Sequence, residues 1–283
     1  MDNKMGVRHG RPDGSKEPTG RREARGADAI QRQAPRVFDC YHTPALRAVF
    51  ERMLALAVDI EGQVKSDLDH RPDVHPSEGI LSRLGELRAV YDRFLQEVIS
   101  REGLTVACRK GCPACCHVLP CGLEPLEVME IYERIRTWPD YADIMRGCAA
   151  AMGAFQTLIN KSSGGPSTQA YTRALADFAL LRLPCVFLDR QRGTCRIYDI
   201  RPLICRSVFS LSDPARCDPA HSAFASRQIE VIEPVDEINL ILIRINAAIS
   251  RALGFRFPDI LQQALLLWDR LQTGRMRANP SAD

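Results

Sequence analysis

From residue 43 onward the chain alternates apolar and polar positions with helical spacing. Leu46, Phe50, Met53, Ala57, Ile60 and Val64 recur at steps of three and four, which gathers them on one face of a helix. A polar, proline-containing break over 69–79 follows, and then Ile80, Leu84, Leu87, Tyr91, Phe94 and Val98 repeat the pattern. Two antiparallel helices packed along these stripes are the simplest outcome. Further helices are expected over 124–138, with Pro125 in the first turn, then over 140–160 and about 169–182. The loop 162–168 separates the last two. The texture changes at 184. "PCVFLDRQRGTCRIY" places two short β-type runs around a polar turn that ends in glycine, the pattern of a hairpin. "DIRPLICRSVF" then reads as a short helical turn led by Pro202, and helices over about 234–253 and 258–272 complete the chain. No internal repeat is visible. The fold class expected is mainly α: a helical domain with a small β-hairpin and a cysteine-rich metal-binding centre.

The ends differ from the middle. Residues 1–36 carry nine Lys or Arg against five acids and almost no large apolar residues, the composition of a disordered basic tail. A solvated tail is the plainer reading, a tail for an anionic partner the sharper one. The rest of the chain has a net charge of −1 within a total of +3, so no basic face for nucleic acid is expected. A single helical domain over 37–275, containing a cysteine region at about 108–217, and a short disordered tail over 276–283 complete the organisation. With 45% hydrophobic residues the chain has enough apolar surface for its own core. There is no apolar stretch after the N-terminal charges to make a secretory signal. The run "INLILIRINAAI" is short and broken by Arg244, so no membrane span is expected. A cytoplasmic protein is the resulting expectation, with a protein partner or substrate left unidentified.

That compartment matters for the 11 cysteines. Where thiols stay reduced, a dense cysteine pattern points to metal or redox chemistry rather than structural disulfides. Cys108, Cys112, Cys115, Cys116 and Cys121 form one group, and Cys185, Cys195, Cys205 and Cys217 another. Nine residues separate Cys185 from Cys195, and nine more separate Cys195 from Cys205. Thiolates suit zinc and iron–sulfur clusters, both usually held by four protein ligands. The Cys112-x-x-Cys115 step lets two sulfurs converge across a turn. Adjacent Cys115 and Cys116 point in different directions: one ligates while the other packs, or each faces a separate centre. Arg109, Lys110, Arg196, Arg201 and Arg206 flank the thiols and suit the negative charge of a four-thiolate site. His117 and His221 are alternative ligands, each more simply read as a surface or hydrogen-bonded histidine. Cys148, within an alanine-rich stretch, reads as packing. Glu124, Glu127 and Glu130 share a helical face that reads as solvated rather than as an acid/base pair.

Cys108-x3-Cys112-x2-Cys115 also matches the cysteine triad of radical S-adenosylmethionine enzymes. Ala114 stands where that motif usually has an aromatic, and the helical residues after 116 do not supply a βα-repeat barrel. A closer resemblance lies elsewhere. "CRKGCPACC" (108–116), "PCVFLD" (184–189) and "CRIYDIRPLICR" (195–206) resemble the CxxCxxCC cysteine-cluster family, the YkgJ-like zinc- or iron-chelating domain proteins. The first segment departs slightly, with three residues between its first two cysteines. The resemblance implies a centre in which Cys112, Cys115, Cys116, Cys185, Cys195 and Cys205, with Cys108 as a further candidate, surround Zn2+ or an iron–sulfur cluster, 4Fe–4S being the expected form. Arg201, Pro202 and Arg206 would orient the helix bearing Cys205 and offset thiolate charge. One relative, the flagellin lysine N-methylase, implies as the alternative a protein-modifying enzyme with the cluster as cofactor or structural centre. No Gly-rich strand-to-helix turn for S-adenosylmethionine is visible, so catalytic residues are not assigned.

Overall fold

Each apolar stripe of the sequence becomes the buried side of a helix in the computed structural model. It describes residues 43–70, 75–161, 167–224, 229–231 and 236–274; the two predicted tails, and Cys40, lie outside them. Helix α1 (Pro44–His70) starts where the Thr43 hydroxyl accepts the Leu46 N–H, and α2 (Glu78–Arg101) where Ser77 accepts that of Ile80. All twelve stripe residues of this pair are buried. Arg52 pairs with Glu86, and Arg83 with Asp59, so positions rising along α1 meet positions falling along α2: the two run antiparallel.

Around this pair, α7 (Asp236–Leu253) packs on α1, where Arg244 reaches Glu61 through two 2.8 Å bonds. Helices α3 (Pro125–Ile135) and α4 (Tyr141–Lys161) both pack on α8 (Leu261–Gln272), and α5 (Thr168–Leu180) covers α4. Trp268 of α8 is fully buried. The resulting core also takes in Phe187, Ile197, Ile200 and Leu203 from the cysteine region, which therefore shares the bundle's interior. No described helix is long and apolar enough to cross a membrane.

The expected hairpin is present as β1 (Leu188–Asp189) against β2 (Thr194–Cys195). The Asp189 carboxylate accepts the N–H groups of Gln191 and Arg192, and Gly193 takes a positive φ of 65° to close the turn. The short helix α6 (Leu203–Ser207) follows. A second antiparallel ribbon, beyond the expected hairpin, pairs β3 (Val208–Ser210) with β4 (Ile229–Val231). Residues 208–209 stand at the tail of the expected helical turn. Three-residue strands carry too little alternation to stand out, and their pairing depends on a segment nineteen positions away.

Candidate metal centre

Three local devices bring the cysteines together. The first is a turn of 3-10 helix, Ala114–His117, entered through Gly111 (φ 91°) and Pro113. The second is the hairpin. Its base is fixed to that turn by the Cys185 N–H, which donates to the Cys116 carbonyl at 2.6 Å. The third is α6, which carries Cys205. Gly147 of α4 makes room for this assembly: a Cβ there would stand 2.9 Å from Cγ1 of Val186, the residue after Cys185.

The thiols divide by neighbourhood. Cys185 and Cys205 are deeply placed; burial pushes the Cys185 thiol up to about 12, and lifts Cys205 well above the usual range. Cys185, Cys195 and Cys205 act on one another electrostatically, Cys116 feels Cys185 and Cys195, and Cys115 acts on Cys185, Cys195 and Cys205. Cys115 belongs to an exposed residue, yet its thiol is hydrogen-bonded with that of Cys116, which lowers Cys115 to about 7 and raises Cys116. Cys108 lies to one side, its sulfur accepting the Ser210 N–H at 3.1 Å. Backbone N–H groups of Phe187 and Ile197 donate in the same way to Cys185 and Cys195. Such bonds favour the thiolate form.

Cys148 is wholly buried in the helical core, where burial pushes its thiol up to about 12. Cys121 lies apart too, bridged to Ile260 and donating to the Leu119 carbonyl. His221 is exposed, and its Nδ1 accepts the Ala223 N–H at 3.0 Å. The described cysteines form no disulfides among themselves.

The flanking cations have specific tasks. Arg206, 5% exposed at its side chain, donates to the carbonyls of Arg201 (2.9 Å) and Asp199 (2.6 Å) and to the Asp92 carboxylate of α2 (2.5 Å). One guanidinium thus ties the 3-10 turn Tyr198–Ile200 and α6 to the bundle. Pro202 is buried at the entry to α6, and its carbonyl accepts the Cys205 N–H. Lys110 and Arg201 both stand over the Tyr198 ring, at 5.1 and 4.4 Å. Arg196 lies 4.2 Å from the centre of the Trp138 ring and grips Asp140 with both Nη atoms, fastening the hairpin to the start of α4.

The glutamates correct the sequence reading. Glu127 is 1% exposed, and its two carboxylate oxygens accept the N–H groups of Leu203 (2.7 Å) and Glu124 (3.2 Å). It holds the first residue of α6, two positions before Cys205. Glu130 meets Arg88 of α2 in a two-pronged pair at 2.5 and 2.6 Å, with Arg88 only 3% exposed. Glu124 has a buried carboxyl oxygen without a partner, and burial with the nearby Glu127 charge raises its pKa to about 8. The expected solvated face is an interior one. Its partners, Arg88 and the start of α6, are tens of residues away in sequence, so helical periodicity could not reveal them.

Does this neighbourhood suit a metal? Among the described residues, no three His, Cys, Asp or Glu side chains stand in metal-holding geometry; the sulfurs share a region without meeting at a point. The donor chemistry nonetheless fits a thiolate-bound metal. The thiols are soft and surrounded by N–H donors, and Arg201 Nε is buried with no acceptor while its charge acts on Cys115 and Cys195. A buried, unpartnered guanidinium N–H costs free energy unless something anionic faces it. A metal–thiolate group has that charge. A cavity of about 560 Å3 lined by His75, Tyr132 and Arg136 opens elsewhere, and no cysteine lines it.

Comparison with known proteins agrees in class. Residues 107–224 match the model of the CxxCxxCC family, described as a "Putative zinc- or iron-chelating domain". The match covers less than half of the chain and runs past α6 to include Cys217. No curated protein and no solved structure matches the chain.

Proposed function

We propose that this protein is a resident metal–thiolate protein whose centre is held by Cys116, Cys185, Cys195 and Cys205. The observation that carries this reading is the Cys185–Cys116 backbone bond. It brings together two cysteine segments 69 positions apart, with Cys195 and Cys205 close enough to act on the same thiols. Cys116 comes from the 3-10 turn, Cys185 and Cys195 from either side of the hairpin, and Cys205 from α6. Arg201 faces the thiols with a free N–H, Arg206 fixes the backbone that presents Cys195 and Cys205, and Glu127 holds the start of α6.

The set accepts either Zn2+, giving a closed site that stabilises the fold, or a 4Fe–4S cluster, giving a centre that exchanges electrons. In both cases the metal would join the 3-10 turn, the hairpin and α6, so its binding free energy becomes folding free energy. Anaerobic purification followed by absorption spectroscopy and assays of iron, zinc and acid-labile sulfide tests this. A brown protein with matching iron and sulfide assigns the cluster, and a colourless protein with stoichiometric zinc assigns the ion. Neither metal refutes the proposal.

A further inference from the structure

We propose that the hairpin turn and the loop before Cys112 together form a cationic docking surface for a carboxylate-rich segment of a partner protein. Two short segments, distant in sequence, build it. Loop 109–111 carries Arg109 and Lys110, and turn 189–193 carries Arg190 and Arg192; all four cations are exposed. The segments meet at their glycines: a Cβ on Gly193 would stand 3.6 Å from the Gly111 carbonyl oxygen. Both glycines hold a positive φ, 91° at Gly111 and 65° at Gly193, a backbone conformation that other side chains rarely adopt.

Little in the fold neutralises these cations. The two segments hold one acid, Asp189, and its carboxylate is already engaged: it accepts the Gln191 and Arg192 N–H groups at 3.0 Å and lies 3.8 Å from the Arg192 side chain. Arg109 and Arg190 have no ion pair among the described residues. Elsewhere on the surface comparable cations meet acids, as Arg52 does with Glu86, Arg83 with Asp59 and Arg182 with Asp218. Outside residues 1–36 the chain is close to neutral, so this concentration of positive charge is a local feature. Such a field steers acidic surfaces to it and repels basic ones. A nucleic-acid strand fits less well, because sites for single strands pair cations with open aromatic faces for base stacking. The ring at this site, Tyr198, already has Lys110 at 5.1 Å and Arg201 at 4.4 Å from its centre. The surface borders the thiols without containing one: Cys112 follows Gly111, and Cys195 lies two residues beyond Gly193. The inference concerns a partner rather than a metal, and it stands whether or not the thiols are occupied.

The test uses the full-length protein and a labelled peptide of alternating Glu and Ala, with a single-stranded oligothymidylate as the competing probe. Fluorescence anisotropy measures binding. A carbodiimide, which joins carboxylates directly to lysine amines, fixes its place. The lysines are Lys4, Lys16, Lys65, Lys110 and Lys161, so Lys110 alone reports this surface. The expected result is peptide binding that weakens with salt and crosslinks that map to Lys110. Arg190→Glu combined with Arg192→Glu should weaken binding by about tenfold or more and remove that crosslink, with bound metal and far-UV circular dichroism unchanged. Arg109→Gln, on the facing loop, should act in the same direction and serves if the doubly reversed variant folds poorly. Absence of peptide binding, or crosslinks confined to Lys4 and Lys16 or spread evenly over the lysines, overturns the proposal. Tighter binding of the oligothymidylate, dependent on Arg190 and Arg192, overturns the choice of a protein partner. Loss of bound metal together with the Lys110 crosslink would make the cations a support of the centre itself and overturn the docking surface.

Discussion

Replacing Arg206 with alanine should be more damaging than removing the acid it pairs with. The guanidinium is buried, and three of its bonds are short: two to backbone carbonyls, at 2.9 and 2.6 Å, and one to Asp92 at 2.5 Å. Truncation strands the carbonyls of Arg201 and Asp199, at about 1–3 kcal/mol for each buried group left unpaired. It also removes a buried aliphatic stem. Asp92 matters less to this sum because 42% of its side chain is exposed, so its carboxylate rehydrates. A total loss of about 3–5 kcal/mol is expected for Arg206→Ala, whereas Asp92→Ala keeps both carbonyl bonds but leaves one N–H of the buried guanidinium without its acceptor, costing about 1–3 kcal/mol. Against a typical domain stability of about 5–15 kcal/mol, the first is severe and the second moderate. Urea unfolding followed by far-UV circular dichroism, with chelator present so that metal linkage is excluded, measures both. Equal losses in the two variants would refute the reasoning, because the ion pair and not the carbonyl bonds would then be the stabilising element.

Three further substitutions test neighbouring contacts. Glu124 has its folded pKa raised from 4.5 to about 8, so the folded state keeps a proton that the unfolded chain has lost between those values. Stability should therefore fall as pH rises through that window, by at most about 3–4 kcal/mol, and Glu124→Gln should flatten the dependence in thermal melts between pH 5 and 8 by about that amount. Glu127→Ala strands the Leu203 N–H, costing about 1–3 kcal/mol; hydrogen exchange at the Leu203 amide should speed at least tenfold, and unchanged exchange would remove Glu127 as the clamp of α6. Gly147→Ala gains about 1 kcal/mol of helix propensity but drives a methyl into Val186, an overpacking cost of about 1–3 kcal/mol. A net loss is expected, reversed when Val186→Ala is added, and a Tm that rises in the single variant would contradict the close approach.

The helices were legible because their apolar residues repeat locally: the stripes of α1 and α2 are buried residue for residue. The hairpin was legible for a similar reason, since Asp189 and Gly193 determine their own turn. What escaped depends on partners distant in sequence. Glu127, Glu130 and Arg88 carry charges that composition places in water, and only the packed arrangement shows that each charge has its counterpart. The β3–β4 ribbon is too short to show alternation. Among the cysteines, the sequence supplied the set of candidates and the idea that Cys115 and Cys116 diverge. It gave no way to divide them, because neighbourhood is decided by contacts such as Ser210 with Cys108 and Cys185 with Cys116.

Arg206 also bears on where this domain can be cut. The family match begins at residue 107, but Asp92, which receives this guanidinium, and Arg88, which receives Glu130, both sit on α2 upstream of that limit. A fragment trimmed to 107–224 would leave Glu130 as a buried carboxylate without its cation and strip α3 of its packing on α2 and α8. The recognisable unit and the foldable unit are therefore different lengths of chain. Any attempt to transplant the cysteine region into another scaffold would have to carry α2 with it.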